Sequence, residues 1–120
     1  MAETIVATNF TTKNLLEELQ NVKNYNSPIE VVYEDFSNLD ANWQGIIATV
    51  ISQDSKFFIK IEQPDNKDNG FSVQDLLDEI NDENLLVFII LCNNVLSNNI
   101  ISHEFHFSNN ETTLFLLGMA

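Results

Sequence analysis

Apolar residues recur along this chain in two periods, and the changes between them mark out its elements. Thr4 to Thr8 (TIVAT) is β-branched and reads as a short first strand. Thr12 then caps a helix in which Leu15, Leu19 and Val22 share one face, with Leu16 at its edge. The other face mixes Lys13, Glu17, Glu18 and Lys23, an ordinary solvated pattern. Asn24 to Pro28 ends this helix, because proline disfavours helical geometry in the residue before it. From Ile29 to Tyr33 the period falls to two, with Ile29, Val31 and Tyr33 on one side of a strand and Glu30, Val32 and Glu34 on the other.

Asp35 to Gln44 (DFSNLDANWQ) combines turn formers with Phe36, Leu39 and Trp43, which predicts a loop pinned to the core, with Asp35 and Asp40 adding charge to it. Gly45–Ser52 and Lys56–Glu62 are two strands joined at hairpin length by Gln53-Asp54-Ser55. In the second, Phe57, Ile59 and Ile61 alternate with Lys56, Phe58, Lys60 and Glu62, so one face is solvated. A second helix follows Ser72, since Val73, Leu76, Leu77 and Ile80 stand at i, i+3, i+4 and i+7. Leu85–Cys92 is apolar without interruption and of strand length, which predicts a central strand covered on both sides; a helix continuing from Ile80 competes with it. Ile100–Phe107 and Thr112–Leu117 form a hairpin across Ser108-Asn109-Asn110-Glu111. The expected fold is α+β: a mainly antiparallel β-sheet with two principal amphipathic helices, in a single domain over residues 1–120.

Composition supports that unit. With 120 residues and 44% hydrophobic content the chain can build a core without disulfide or metal. Of its seventeen asparagines, the pairs Asn93-Asn94, Asn98-Asn99 and Asn109-Asn110 separate apolar runs, as turns rather than as a low-complexity tract. The lone Cys92 forms no internal disulfide, Met1-Ala-Glu-Thr lacks a basic or long apolar leader, and an apolar run of eight residues is too short to cross a bilayer as a helix. A cytoplasmic protein is expected.

Charge changes the picture most. Five lysines, no arginine and eighteen acids leave a net charge of -13, which repels nucleic acid and anionic membrane and opposes self-association, so a monomer is expected. The stretch Glu62–Glu83 (EQPDNKDNGFSVQDLLDEINDE) holds eight of the acids and one lysine, Lys67. Ser72 is its helix N-cap, and Asp75 takes the capping-box place three residues on, where a carboxylate also meets the positive end of the helix dipole. At 3.6 residues per turn the four apolar positions span roughly 100°, which leaves Asp75, Asp78, Glu79, Asp82 and Glu83 opposite them. Pairs such as Asp75/Glu79, Asp78/Asp82 and Glu79/Glu83 repel by about 0.2–0.5 kcal/mol each on a helix. The face is either plain solubilising charge or a surface for a cationic partner.

No arrangement of residues names a reaction. Aligning Asp65–Gly70 with a calcium loop puts Lys67 at the third position and Leu76 at the twelfth, where acids are required. His103 and His106 stand three apart on a predicted strand and do not converge on one metal; Cys92 at the end of an apolar run reads as a small buried hydrophobe. With only Gly45, Gly70 and Gly118 there is no glycine-rich phosphate loop. Neither an enzyme nor a cofactor or metal is expected.

Carboxylates on alternate strand residues stand about 6.6 Å apart and those one helical turn apart about 5.4 Å, close to two phosphate steps of about 3.4 Å each. In size, acidity and lack of arginine the chain resembles the small acidic bacterial and phage DNA-mimic proteins. That resemblance implies a basic DNA-binding partner, for example a histone-like nucleoid protein, held in competition with DNA. It carries over no site residues. On charge, the candidate row is Asp65, Asp68, Asp75, Asp78, Glu79, Asp82 and Glu83, extended by Glu30, Glu34, Asp35 and Asp40 if the fold brings them near. An immunity or antitoxin-type inhibitor of a basic toxin nuclease obeys the same physics. A secretion chaperone or adaptor that binds through an apolar patch is the third reading.

Overall fold

The structure, a computed structural model, describes residues 4–22, 25–26, 28–35, 38–62, 70–91, 99–107 and 112–119. The elements are β1 (Thr4–Thr11), α1 (Thr12–Gln20), β2 (Ile29–Asp35), β3 (Asn38–Gln53), β4 (Lys56–Glu62), α2 (Val73–Glu79), β5 (Leu86–Leu91), β6 (Asn99–Phe107) and β7 (Thr112–Met119). All seven strands join one sheet in the order β1-β5-β4-β3-β2-β7-β6. The α+β class with two helices holds, but the sheet is mixed. β2 runs parallel to β7 and β4 parallel to β5, while the other four pairings are antiparallel. The β4–β5 pairing is parallel because α2 lies in the connection between them, and parallel neighbours need such a crossover. No helix of the described residues is long and apolar enough to cross a membrane.

The alternation in β4 builds the core. Phe57, Ile59 and Ile61 are completely buried, while Lys56 is exposed and Phe58, Lys60 and Glu62 are half-buried. Ile47, Val87 and Ile89 flank them from β3 and β5, and Leu15, Leu19 and Val22 from the α1 side and Val73 and Leu76 of α2 close over the same side. Each such side chain contributes roughly 1.5–3 kcal/mol by leaving water. Both helices therefore cover one face of the sheet.

Helix α1 starts one residue earlier than the sequence suggests. Its N-cap is Thr11, whose hydroxyl accepts from Asn14 N–H (3.3 Å) while Asn14 Oδ1 accepts from Thr11 N–H (3.2 Å). Thr12 is instead a completely buried polar side chain. Its hydroxyl donates to the carbonyl of Asp82 and accepts from Leu85 N–H (3.2 Å), and its own N–H reaches Leu85 O (2.8 Å). Lys13 N–H meets Glu83 O at 3.1 Å, so the chain after α2 satisfies the free first-turn donors of α1.

The segment expected as a loop over 35–44 is largely strand. β3 begins at Asn38 and pairs with β2, with Tyr33 opposite Trp43 and Glu34 opposite Asn42; an irregularity follows before Asp35 meets Asn38. Backbone pairing with β2 outweighs the poor strand propensity of its Asn and Asp residues. The β3–β4 hairpin turns at Asp54 and Ser55, both at positive φ (54° and 65°), the geometry of a two-residue primed turn. β5 is an interior strand between β1 and β4, which settles the strand-or-helix alternative for 86–91. Its cover on the side away from the helices is partial: Leu86 is 51% exposed and Phe88 half-buried, whereas Ile90 is buried. β6 and β7 form the expected antiparallel hairpin. In it His103 lies opposite Leu116 and His106 opposite Thr113. The calcium-like segment 65–69 and Cys92 lie outside the described residues.

Candidate functional site

Helix α2 is held from its N-terminal side. Ser72 caps it by accepting from Asp75 N–H (3.2 Å), and Asp75 Oδ2 accepts in return from Ser72 N–H (3.0 Å), the expected reciprocal cap. The lead-in is clamped between strands: Phe71 N–H reaches Ile47 O and Ile29 N–H reaches Phe71 O, both at 3.0 Å, and Gln74 N–H reaches Tyr25 O at 2.8 Å. Gly70 approaches β3 so closely that a Cβ on it would lie 2.6 Å from Ile46 Cβ, nearer than side chains tolerate. Any other residue at 70 would force Ile46 or the lead-in to α2 to shift.

The helix is shorter than its periodicity implies. It ends at Glu79, and Ile80 is already extended (φ -90°, ψ 103°). The acidic row is therefore not one helical face: Asp75, Asp78 and Glu79 stand on α2, but Asp82 and Glu83 lie in the irregular chain after it. The cause is tertiary. The Asp82, Glu83 and Leu85 carbonyls bond the N-terminus of α1, and the chain from Ile80 leaves the helix path to reach it. Of the three like-charge pairs the sequence suggests, only Asp75/Glu79 is a helical pair.

All five of these carboxylates are exposed. Three also serve local structure: Asp75 completes the cap, Asp78 Oδ1 accepts from Gln74 Nε2 (2.8 Å), and Asp82 Oδ1 accepts from Asn84 N–H (2.8 Å). Asp75, Asp78 and Glu79 line an open concavity of about 410 Å³ floored by Gly70 and Phe71. Asp82 lines a second, of about 290 Å³, together with the β3–β4 turn and its Asp54. Asp54 is an acid that sequence reasoning missed. Parallel pairing sets Lys56 beside Leu86, so the residues that lead into β4 and β5 become neighbours, and only the strand order carries that signal.

The proposed extension of the row is not assembled. Glu30 is half-buried and lies in a row with Ile46 and Glu62 across β2, β3 and β4. Glu34, Asp35 and Asp40 fall toward the other end of the β2–β3 ladder, with Glu34 roughly 16 Å along the strand from Ile29, where Phe71 docks. Asp65 and Asp68 are outside the described residues. Among the described residues, no three His, Cys, Asp or Glu side chains gather as a metal would require.

The face of the sheet away from the helices is the feature that sequence reasoning left out. Register places Ile5, Ile90 and Lys60 in one row across β1, β5 and β4, and Phe88, Phe58 and Ile51 in the next. Ile5 is 58% exposed, Leu86 51% and Ile51 42%. The rings of Phe58 and Phe88 meet at 5.4 Å between centroids, and Lys56 Nζ stands 5.4 Å from the centre of Phe88, within cation–π reach. No family model, no curated protein and no solved structure matches this chain.

Proposed function

We propose that this chain is a non-catalytic binding protein whose carboxylate surface engages a basic DNA-binding protein, such as a histone-like nucleoid protein, in competition with DNA. The observation that carries the reading is the exposure of Asp75, Asp78, Glu79, Asp82 and Glu83 on α2 and the chain that follows, joined by Asp54 from the hairpin, on a chain of net charge -13 without arginine. These anions repel one another on the free surface, and a cationic partner converts that repulsion into attraction while steering the encounter. Glu30, Glu34, Asp35 and Asp40 add to the long-range field, and Asp65 and Asp68 are the further acids of this reading.

The test is the combined variant Asp78→Asn, Glu79→Gln and Asp82→Asn. The amides keep the acceptors that Gln74 Nε2 and Asn84 N–H use, so the fold is retained while three charges go. Stability should hold or rise slightly, whereas affinity for a purified histone-like protein, and the steepness with which salt weakens it, should both fall. Unchanged affinity would remove these acids from the site. Inhibition of DNA binding should also saturate at a fixed molar ratio; inhibition by trace amounts would demand turnover.

A second reading rests on the open face of the sheet. The exposed Ile5, Ile51 and Leu86 suit an adaptor or chaperone that binds through apolar contact. Raising ionic strength separates the two, because charge-driven binding weakens steeply and apolar binding does not.

A further inference from the structure

Asn69-Gly70 is the sole Asn-Gly step in the chain, since Gly45 follows Gln44 and Gly118 follows Leu117. Asn69 lies outside the described residues and enters through its peptide bond to Gly70, and it is on the glycine that the structure bears. A Cβ at 70 would meet Ile46 Cβ at 2.6 Å and Ile46 Cγ2 at 2.8 Å, so packing against β3 holds the position to glycine. Gly70 N–H has no acceptor among the described residues, whereas the next amide, Phe71 N–H, is tied to Ile47 O at 3.0 Å. The clamp on the lead-in to α2 thus begins one residue beyond the nitrogen that follows Asn69.

We propose that this step is a modification site, at which Asn69 deamidates while the protein is folded. The deprotonated nitrogen of Gly70 attacks Asn69 Cγ; a C–N bond forms, the ring closes to a succinimide, and the side-chain amide leaves as ammonia. Water then opens one of the two carbonyl–nitrogen bonds of the ring. One opening gives aspartate in the ordinary chain, and the other gives isoaspartate, whose backbone runs through the former side chain and is one carbon longer. Glycine favours the attack because no Cβ crowds its nitrogen. Where an amide is bonded into a sheet, that bond must be released first.

Both products add a negative charge next in sequence to Gly70, which floors the concavity lined by Asp75, Asp78 and Glu79. Only isoaspartate lengthens the backbone, and it does so directly before residues with little room: Gly70 is pressed against Ile46, and Phe71 is bonded to both Ile47 and Ile29. The extra carbon loosens the lead-in of α2, while aspartate at the same place changes charge alone. The inference is independent of whether the acids bind a partner.

Incubation of the full chain at mildly alkaline pH, followed by peptide mapping with mass spectrometry, tests this. Conversion at Asn69 should outpace that at every other asparagine by at least about tenfold, a barrier difference of about 1.4 kcal/mol, and should quicken as pH rises because the nucleophile is the deprotonated amide. The folded protein should react within about tenfold of the rate in urea, since the Gly70 amide has no bond to release. Asn69→Gln, whose longer side chain closes the ring poorly, should abolish the reaction. In the isoaspartate fraction the amides of Phe71 and Ile29 should exchange at least about tenfold faster, whereas Asn69→Asp should leave them unchanged. A folded protein that reacts more than about tenfold slower than in urea overturns the proposal, as does conversion spread evenly over the asparagines. Equal exchange in the isoaspartate fraction and in Asn69→Asp would overturn the loosening of the lead-in.

Discussion

On one side of the sheet lie α1, α2 and the core they seal; on the other lies an apolar surface with nothing over Ile5, Ile51 or Leu86 among the described residues. The same strands make both. In β4, Phe57 belongs to the first side and Phe58 to the second, one residue apart, the first completely buried and the second only partly. The contrast shows that an apolar strand residue does not declare its environment by its own chemistry. Its environment depends on what the fold lays over each face, and here both helices go to one face. The surface acids follow the same logic in reverse: those of α2 ride on the outside of the helix layer because its inner positions, Val73 and Leu76, are committed to the core.

The largest expected effect separates the two faces at their closest point. Phe57→Ala should cost about 3–5 kcal/mol in urea unfolding, as for other buried aromatic truncations. Phe58→Ala should cost under about 2 kcal/mol, since it removes only partial burial and a contact with Phe88. Equal losses would show that the outer face is as enclosed as the core.

Next comes the joint that ends α2. Thr12→Val keeps the shape but strips the hydroxyl from Asp82 O and Leu85 N–H, and should destabilise by about 1–3 kcal/mol. Faster amide exchange at Leu85 would locate the damage; a change of a few tenths of a kcal/mol or less would mean that water replaces the hydroxyl at no cost.

A smaller loss, of about 1 kcal/mol, is expected from Ser72→Ala, which removes the cap of α2. Its readout is exchange of the amides in 73–79, and the outer face of the sheet should be untouched.

The smallest effect has the opposite sign. Ser55 sits at φ 65° in the β3–β4 turn. Ser55→Gly relieves a left-handed strain of about 1–2 kcal/mol at a backbone entropy cost of about 0.5–1 kcal/mol, for a net gain of about 0.5 kcal/mol in thermal or urea unfolding. A loss would mean that the serine side chain has a partner in the turn that outweighs its strain.

Much of this was legible before any coordinates. The i, i+3, i+4 spacing of Val73, Leu76 and Leu77 with Ser72 ahead located α2 and its reciprocal cap, and the alternation of β4 assigned its buried residues one by one. The two-residue turn at Asp54 and Ser55 fell inside the expected hairpin connection. The misses share a cause. Asn38 to Gln44 looked like a loop because its own residues are poor strand formers, yet β2 supplies the pairing. Ile80 continues the apolar period of α2, but there the chain turns extended and runs on to meet the N-terminus of α1. Asp82 and Glu83 were thereby misplaced, and Asp54 was overlooked.

What the sequence determined by itself was everything set within a segment: which face of each helix is apolar, which serine caps α2, which residues of β4 turn inward, and the excess of carboxylate over lysine. These follow from side-chain periodicity and short-range hydrogen bonds, whose geometry reaches only a few residues. The tertiary structure alone decided where α2 stops, where β3 starts, that β4 and β5 run side by side in parallel, and that Ile5, Ile51 and Leu86 are exposed. Extended backbone leaves its hydrogen bonds to be completed by a distant strand, and each face of a sheet must be covered by some other element or left to solvent, so no local pattern contains either choice.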